Sequence, residues 1–518
     1  MSVRLDRWTL RMIRTVVIVA SVALSSLVAA QSQPRDSSGK TPDFSGVRSM
    51  IREQMTATNT PSMAVAVTRG NEILWEEGFG FIDHPGGTPT TPNTLYYCAS
   101  VTKAFTATAL MILQERKQLD LDRPANDYLA KARLTSPYWN PDEATVRRIA
   151  MQTAGLATYD RGYVQGLNQE RVPLEEIIRR YGIIFWRPGD HFDYSNLGYG
   201  ILGEIVANVS KRSFGDFLKE EIFRPLGMEH STLGIDPGQP TAPRYNGSLK
   251  AASPPTESTV PGASSVYSSA HELALYSMFQ LQTPRRGQRN ILSPTGLGRL
   301  IDPTVDAGGG NRHSLAWWVS DRNGYHTLFA QGGTSDSQAW LLLVPAEKIA
   351  VVVIGNSGST PAPMVIDEIL STLLPLYKEN KEDRARYVAA HPTPAVAPAK
   401  PGPPPVEATG TWIGKLRTYS SDIPLTLNVT SAGDIDATLG QSPALKLTNP
   451  RFRDNRIAGK MVADLGVRDT DGAPYELHFE LYRYEDRLIG GATTYALPGR
   501  DGPRLSFWVE LTRSAGKE

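Results

Sequence analysis

The sequence predicts an α+β protein: an antiparallel sheet flanked by helices, interrupted by a mostly helical insertion and followed by a small all-β barrel. Three observations carry that reading. Alternating or continuous apolar runs, the pattern of strands, fall at both ends of residues 42–390, at 63–80 and again at 316–355. Between about residue 102 and residue 300 the apolar spacing is mostly helical. Beyond a proline-rich stretch at 391–405, short alternating segments lie between turn residues. Strands at both ends with helices between them imply one sheet assembled from both ends of the region. A chain of 518 residues also exceeds the roughly 250–300 at which one core stops growing, so two domains are expected.

At the start, Arg4, Arg7, Arg11 and Arg14 precede an apolar run from Thr15 to Val28, and Val28-Ala29-Ala30 supplies small residues for cleavage. Residues 1–30 read as a secretory signal peptide cut after Ala30; a membrane anchor needs about 20 apolar residues. The expected location is secreted or periplasmic, with no membrane span left after cleavage. Loss of the leader removes four Arg and one Asp and takes the formal charge from +1 to −2. Neither value argues for a nucleic-acid partner. Residues 31–41 are polar and read as disordered. The single cysteine, Cys98, excludes a disulfide within the chain and reads as a buried thiol.

The region 42–390 then builds in order. Phe44 to Met55 has a helical pattern, and Met63–Thr68 with Ile73–Gly80 form a hairpin across Gly70-Asn71. A helix runs from Ser100 to about Gln118, and 172–181, 197–209 and 214–223 follow with helical spacing. Strands are predicted at 316–320, 326–330, 337–344 and 349–355, the last two joined across Pro345-Ala346-Glu347-Lys348, and a helix from Met364 to Tyr377 closes the region. The stretch 391–405 is a stiff linker. Five strands, at 410–416, 425–430, 475–484, 487–492 and 505–512, make the barrel of residues 406–518.

Three motifs carry chemistry. Ser100-Val101-Thr102-Lys103 sets a hydroxyl and an ammonium on one helical face, roughly 5–6 Å apart at Cβ. A serine needs such a neighbour to become a nucleophile. The same spacing recurs at Ser37–Lys40 and Ser514–Lys517 in tail-like segments, and Ser100 could equally cap its helix. Tyr194-Ser195-Asn196 offers a phenol that a lysine charge would stabilise as phenolate; a similar Tyr138–Asn140 lies in a proline-flanked loop, and a buried Tyr with a helix-capping Asn is the bland alternative. Gln331-Gly332-Gly333, at the end of a predicted strand, lets a substrate backbone approach closely, or simply turns the chain.

Together these motifs resemble the serine β-lactamase-like family that includes class C β-lactamases, DD-peptidases, D-aminopeptidases and related esterases. Ser100 to Lys103 is similar to its first motif, Tyr194-Ser195-Asn196 to its second, and Gln331-Gly332-Gly333 stands where the third belongs. Supporting stretches include Gln152-Thr153-Ala154-Gly155-Leu156 and Pro225-Leu226-Gly227-Met228. The resemblance covers roughly 43–377 and implies a β-lactamase/transpeptidase-like fold. It implies Ser100 as nucleophile, Lys103 as its activator, Tyr194 as general base, and Asn196 as a partner of Lys103 and substrate. It further implies Gln331, Gly332 and Gly333 as substrate-binding, and the backbone N–H groups of Ser100 and Thr334 as an oxyanion hole. No metal and no cofactor are implied, and the partner is a small-molecule or peptide substrate. The C-terminal barrel resembles lipocalin-like modules of some family peptidases, which implies that it borders the cleft.

Two departures bear on substrate. The family usually has Lys or His where this chain has the uncharged Gln331, and His is common where it has Gln152. A lost cationic partner for a carboxylate costs about 1.5–3 kcal/mol. The expectation is therefore an acyl-enzyme hydrolase of esters or amides, ahead of a β-lactamase or DD-carboxypeptidase, and ahead of a non-catalytic peptidoglycan- or partner-binding relative.

Overall fold

The computed structural model describes residues 42–390 and 403–514, apart from Pro85, 165–170, 247, 248, 250, 251, 454, 499 and 501. The leader at 1–30, the segment 31–41, most of the linker, the Ser37–Lys40 pair and Lys517 lie outside the described residues.

Eight strands form one antiparallel sheet: β1 Ser62–Arg69, β2 Glu72–Gly80, β3 Val305–Gly308, β4 Asn311–His313, β5 Trp318–Arg322, β6 Tyr325–Thr334, β7 Ser337–Val344 and β8 Ile349–Gly355. Their order across the sheet is β3-β4-β5-β6-β7-β8-β1-β2, so the sheet closes β8 on β1 with Val65 opposite Val353, drawing strands from both ends of the region as predicted. β1 and β8 are continuous apolar runs because both faces are covered. Met63, Val65 and Val67 enter one core with Val351 and Val353, beneath α1 (Ser45–Ala57) and a later helix over Ala362–Leu373. Ala64, Ala66, Val352 and Ile354 enter the opposite core, beneath a helix over Ala270–Gln280. The strand period of two thus sorts neighbouring residues into two cores.

In this second core lies α2 (Thr102–Glu115), whose residues from Thr102 to Leu113 are all buried. It packs on β6 and on α3 (Asn196–Ser210) of the helical insertion. A helix buried all round is a rigid mount, and its N-terminus carries Ser100 and Lys103. The helix expected at 364–377 is instead two, Ala362–Leu373 and Pro375–Ala390. The break lies at Leu374, which is extended (φ −129°, ψ 95°) because the ring of the next residue, Pro375, disfavours helical geometry before it.

The C-terminal region is a nine-stranded antiparallel sheet that curls almost to closure. It adds Ile435–Leu439, Leu445–Lys446, Thr448–Arg453 and Arg456–Ala463 to the five predicted strands. Thr448–Arg453 escaped the sequence pattern because its side chains are exposed or half-exposed, with no apolar face to alternate. The interior is filled by Trp412, Leu427, Leu477, Phe479 and Leu511.

Barrel and sheet region belong to one compact unit. Ile489 and Trp508 form a fully buried cluster with Phe185 and Trp186 of the insertion. Gly491 permits it, since a Cβ there would lie 2.7 Å from the Phe185 ring. Polar contacts frame the cluster. Asp469, 4% exposed, accepts from Tyr181 Oη at 2.5 Å and from Arg161 and Arg180 at 3.2 Å each. Asp160 and Arg504 exchange two backbone hydrogen bonds of 2.8 Å. Asp469→Ala would take the shared acceptor from Tyr181, Arg161 and Arg180, while Arg180 keeps Glu176 at 2.7 Å. The expected cost is about 1–3 kcal/mol, read as a drop in the denaturant midpoint; an unchanged midpoint would show that Asp469 does not hold the barrel.

Candidate active site

The sequence brings β-like residues Tyr96-Tyr97 into a short 3₁₀ turn, Ala99–Val101, which feeds α2. Ala99 adopts φ +44°, a left-handed conformation uncommon for a side-chain-bearing residue and frequent where strain serves a site. The turn leaves Ser100 half-buried ahead of the helix. Val101, not Ser100, occupies the cap position and makes no side-chain cap bond. The serine hydroxyl is therefore free for other partners.

Those partners are Lys103 and Tyr194. Lys103 Nζ donates to Ser100 Oγ at 2.9 Å, to Asn196 Oδ1 at 2.8 Å and to the Ala263 carbonyl at 3.0 Å. Three acceptors match the three N–H bonds of an ammonium. The ring centroids of Tyr194 and Tyr199 lie 4.8 and 5.5 Å from the same nitrogen, within cation–π range. Lys103 is only 3% exposed, so these contacts replace its water. The Tyr194 hydroxyl donates to Ser100 Oγ at 2.9 Å. Asn196 is spared for Lys103 because Ser195 takes the capping duty: its Oγ accepts from Gly198 N at 3.1 Å.

The third segment lies within β6. Pairing with β5 ends at Phe329, and β7 pairs on through Thr334, so residues 330–334 keep one edge without a strand neighbour among the described residues. Gly332 touches the serine turn: a Cβ there would lie 2.3 Å from the Cys98 carbonyl and 2.5 Å from Ser100 N. Only glycine lets the strand come this close. Gln331 is exposed, and Thr334 Oγ1 donates to Asp336 Oδ1 at 2.6 Å. Asp336 in turn lies 3.5 Å from Arg244, whose guanidinium covers the Tyr97 ring.

The structure thus gathers Ser100, Lys103, Tyr194 and Asn196 by direct contact and sets Gly332 against the Ser100 turn. Among the described residues, the competing Tyr138, Asn140 and Ser514 stay apart from it. Tyr138 is 41% exposed and packs toward Tyr484 of the barrel, while Asn140 accepts from Asp142 N in its own turn. Ser514 bonds Thr411 at the barrel edge. Several neighbours carried no sequence signal. The Ala263 acceptor is a main-chain carbonyl, and Asp160 reaches the site only through folding. Burial raises the Asp160 carboxyl, against the opposing pull of Arg504 and Lys103. His313, 1% exposed, is pushed down to about 3 by burial and the Lys103 charge, so its imidazole is neutral.

Asp193, next to Tyr194, accepts from the Trp186 indole at 2.7 Å, yet burial pushes its carboxyl up to about 7 from 3.8. Between those two values the folded protein holds a proton that the unfolded chain has lost, so stability falls as pH rises through the window. Asp193→Asn removes that penalty. Its thermal midpoint relative to the parent is expected to climb from pH 5 to pH 8; a constant difference would contradict the buried neutral carboxyl.

Comparison with known proteins bears on the family and the fold. The family described as Beta-lactamase matches residues 47–374. Unguisins hydrolase ungD' of Aspergillus campestris (strain IBT 28561) is 26% identical over 333 residues, 61% of each chain. The chain spans less than two thirds of the length of the curated relatives it matches. The fold is shared with the octameric penicillin-binding protein homologue from Pyrococcus abyssi, at a TM-score of 0.57 and 20% identity, over 90% of this chain and 100% of that one. A class C beta lactamase from Rhodobacter sphaeroides matches at a TM-score of 0.52 and 21% identity, over 62% of this chain and 99% of that one.

Proposed function

The chain belongs to the beta-lactamase family, and from that premise we propose that it is a serine hydrolase forming an acyl-enzyme on Ser100, with esters or amides as substrates. The observation that carries this reading is the pair of 2.9 Å contacts on Ser100 Oγ, one from Lys103 and one from Tyr194. As Oγ attacks the substrate carbonyl, the Tyr194 oxygen, 2.9 Å away and with its ring beside Lys103, acts as the base that takes the Ser100 proton. The new C–O bond gives a tetrahedral oxyanion, stabilised by the N–H groups of Ser100 and Thr334. The unpaired edge at 330–334 and the approach of Gly332 to Ser100 N support that pairing. A donor of this kind supplies about 3–4 kcal/mol. Collapse breaks the bond to the leaving group, which takes the proton from Tyr194. Water then repeats the sequence on the acyl-enzyme and frees Ser100.

Substrate preference turns on Gln331. An amide side chain forms hydrogen bonds but carries no charge, so it suits a neutral acyl group better than one bearing a carboxylate. The barrel, anchored through Asp160 and Arg504 beside this site, forms part of the substrate boundary.

A fluorophosphonate should add to Ser100, visible as a mass increase absent in Ser100→Ala, and short-chain p-nitrophenyl esters should turn over faster than a chromogenic cephalosporin. An unchanged mass after long incubation would falsify the hydrolase reading. In a separate comparison, Gln331→Lys should improve kcat/KM for carboxylate-bearing substrates by about 10-fold, the factor that 1.5 kcal/mol represents. Equal gains on neutral esters would remove Gln331 from carboxylate selection.

A further inference from the structure

Tyr194 sits in a loop whose shape is set from behind. The segment from Ala150 to Ala157 presents a row of acceptors to it. The Ala150 carbonyl accepts from Tyr199 Oη at 2.6 Å, the Thr153 carbonyl from Gly189 N at 2.7 Å, and the Ala157 carbonyl from Ser195 Oγ at 2.9 Å. Gln152 contributes twice. Its carbonyl accepts from Asp193 N at 2.8 Å, and its side-chain Oε1 accepts from Ser195 N at 2.9 Å. Of the acceptors in this row, Oε1 alone belongs to a side chain.

We infer that Gln152 is a positioning residue for Tyr194: by binding the backbone N–H on each side of the tyrosine, it fixes the direction in which the phenol leaves the loop. With Asp193 N–H and Ser195 N–H both tethered to one residue, neither the 192–193 nor the 194–195 peptide plane can rotate without breaking a buried hydrogen bond, and Tyr194 is carried between them. The phenol oxygen is thereby held at 2.9 Å from Ser100 Oγ.

Two features distinguish this from packing. Gln152 is 2% exposed, and its Nε2 has no hydrogen-bond partner among the described residues. The surrounding gap, lined by Ile149, Leu156, Asp193, Ser195 and Gly198 among others, has no room for a water molecule. A buried amide with one end unsatisfied costs stability that an apolar residue would avoid. Gln152 also holds φ +62°, a left-handed conformation unfavourable for a residue with a side chain. Both costs are explained if the accepting oxygen is what the position requires.

The inference rests on the reading of Tyr194 as the base, and the test separates the two. kcat and KM for a p-nitrophenyl ester are measured across pH for the parent, Gln152→Ala and Gln152→His, with Tyr194→Phe as reference and thermal midpoints for all four. Gln152→Ala should lower kcat by about 10–100-fold, the scale of a misplaced catalytic group, while KM stays within about 2-fold. A neutral imidazole can accept from Ser195 N, but an imidazolium only donates. Gln152→His should therefore recover much of the parent kcat at pH 8 and lose it on acidification. Asp193, with Glu480 and Arg456 facing it from the barrel and Asp190 and His191 on its own loop, is common to the parent and both Gln152 variants, as are Arg147 and Arg148 of the preceding helix. The ratio of variant to parent thus isolates position 152. With Tyr194→Phe strongly impaired, parent kcat in Gln152→Ala, or a histidine variant no more active than the alanine variant at pH 8, would overturn the inference and leave Tyr194 as base; parent kcat in Tyr194→Phe would overturn both. If Gln152→Ala does not fold, the histidine-to-parent ratio decides.

Discussion

Three N–H bonds leave the Lys103 ammonium, and each ends on a different part of the chain: the Ser100 turn, the first residue of α3, and the Ala263 carbonyl. A buried charge is tolerable only when its hydrogen-bonding capacity is filled, and this requirement forces the three parts together. The all-round burial of α2 supplies the rigid base from which Lys103 projects. Once the three bonds are made, Tyr194 is left with its hydroxyl on Ser100 Oγ and its ring beside the ammonium. Ser100, Tyr194 and Lys103 are then one connected unit, which is why removal of any member should disturb the others.

Around that unit the fold works by exclusion and support. Gly332 brings the third motif against the serine turn where any side chain would push it away. The segment Ala150–Ala157 supports the Tyr194 loop from one side. On the far side of that segment, Thr158 accepts from Ser506 at 2.7 Å, and Asp160 pairs with Arg504. The barrel therefore buttresses the same stretch of chain that shapes the site. Its outer residues Ile489 and Trp508 are as buried as its core, so the contact is a continuation of the protein interior.

Much of the fold was legible in the sequence. β7 and β8 match the predicted bounds, and β1 and β2 lie within a residue or so of theirs; β1 and β8, buried on both faces, read as unbroken apolar runs, while the half-exposed edge strand β2 was marked by the turn at Gly70-Asn71. The break at Leu374 was missed because apolar spacing continues through it, although Pro375 carried the signal. Of the four barrel strands missed, Leu445–Lys446 and Thr448–Arg453 have no buried apolar face, whereas Ile435–Leu439 and Arg456–Ala463 alternate about buried Ile435, Ala437, Ile457 and Met461 and did carry a period-two signal. In the site, motif spacing singled out Ser100, Lys103, Tyr194 and Asn196. It could not choose between capping and chemistry for Ser100 and Asn196, since both residue types cap helices well.

By itself, then, the sequence determined the inventory: a serine and a lysine three residues apart, a Tyr-x-Asn, a glycine pair on a strand, and the alternation that makes a sheet from both ends of the region. These are local properties, written in spacing and residue type. Tertiary structure decided which of them meet. Ser195 took the cap and freed Asn196, Val101 occupied the cap position and freed Ser100, and a main-chain carbonyl at Ala263 completed the lysine's shell. It also gave Gln152 its place behind Tyr194. The physical reason is that a buried polar group must find its partner in space, and partners 93 or 160 residues away, or on the backbone itself, leave no mark in the local sequence.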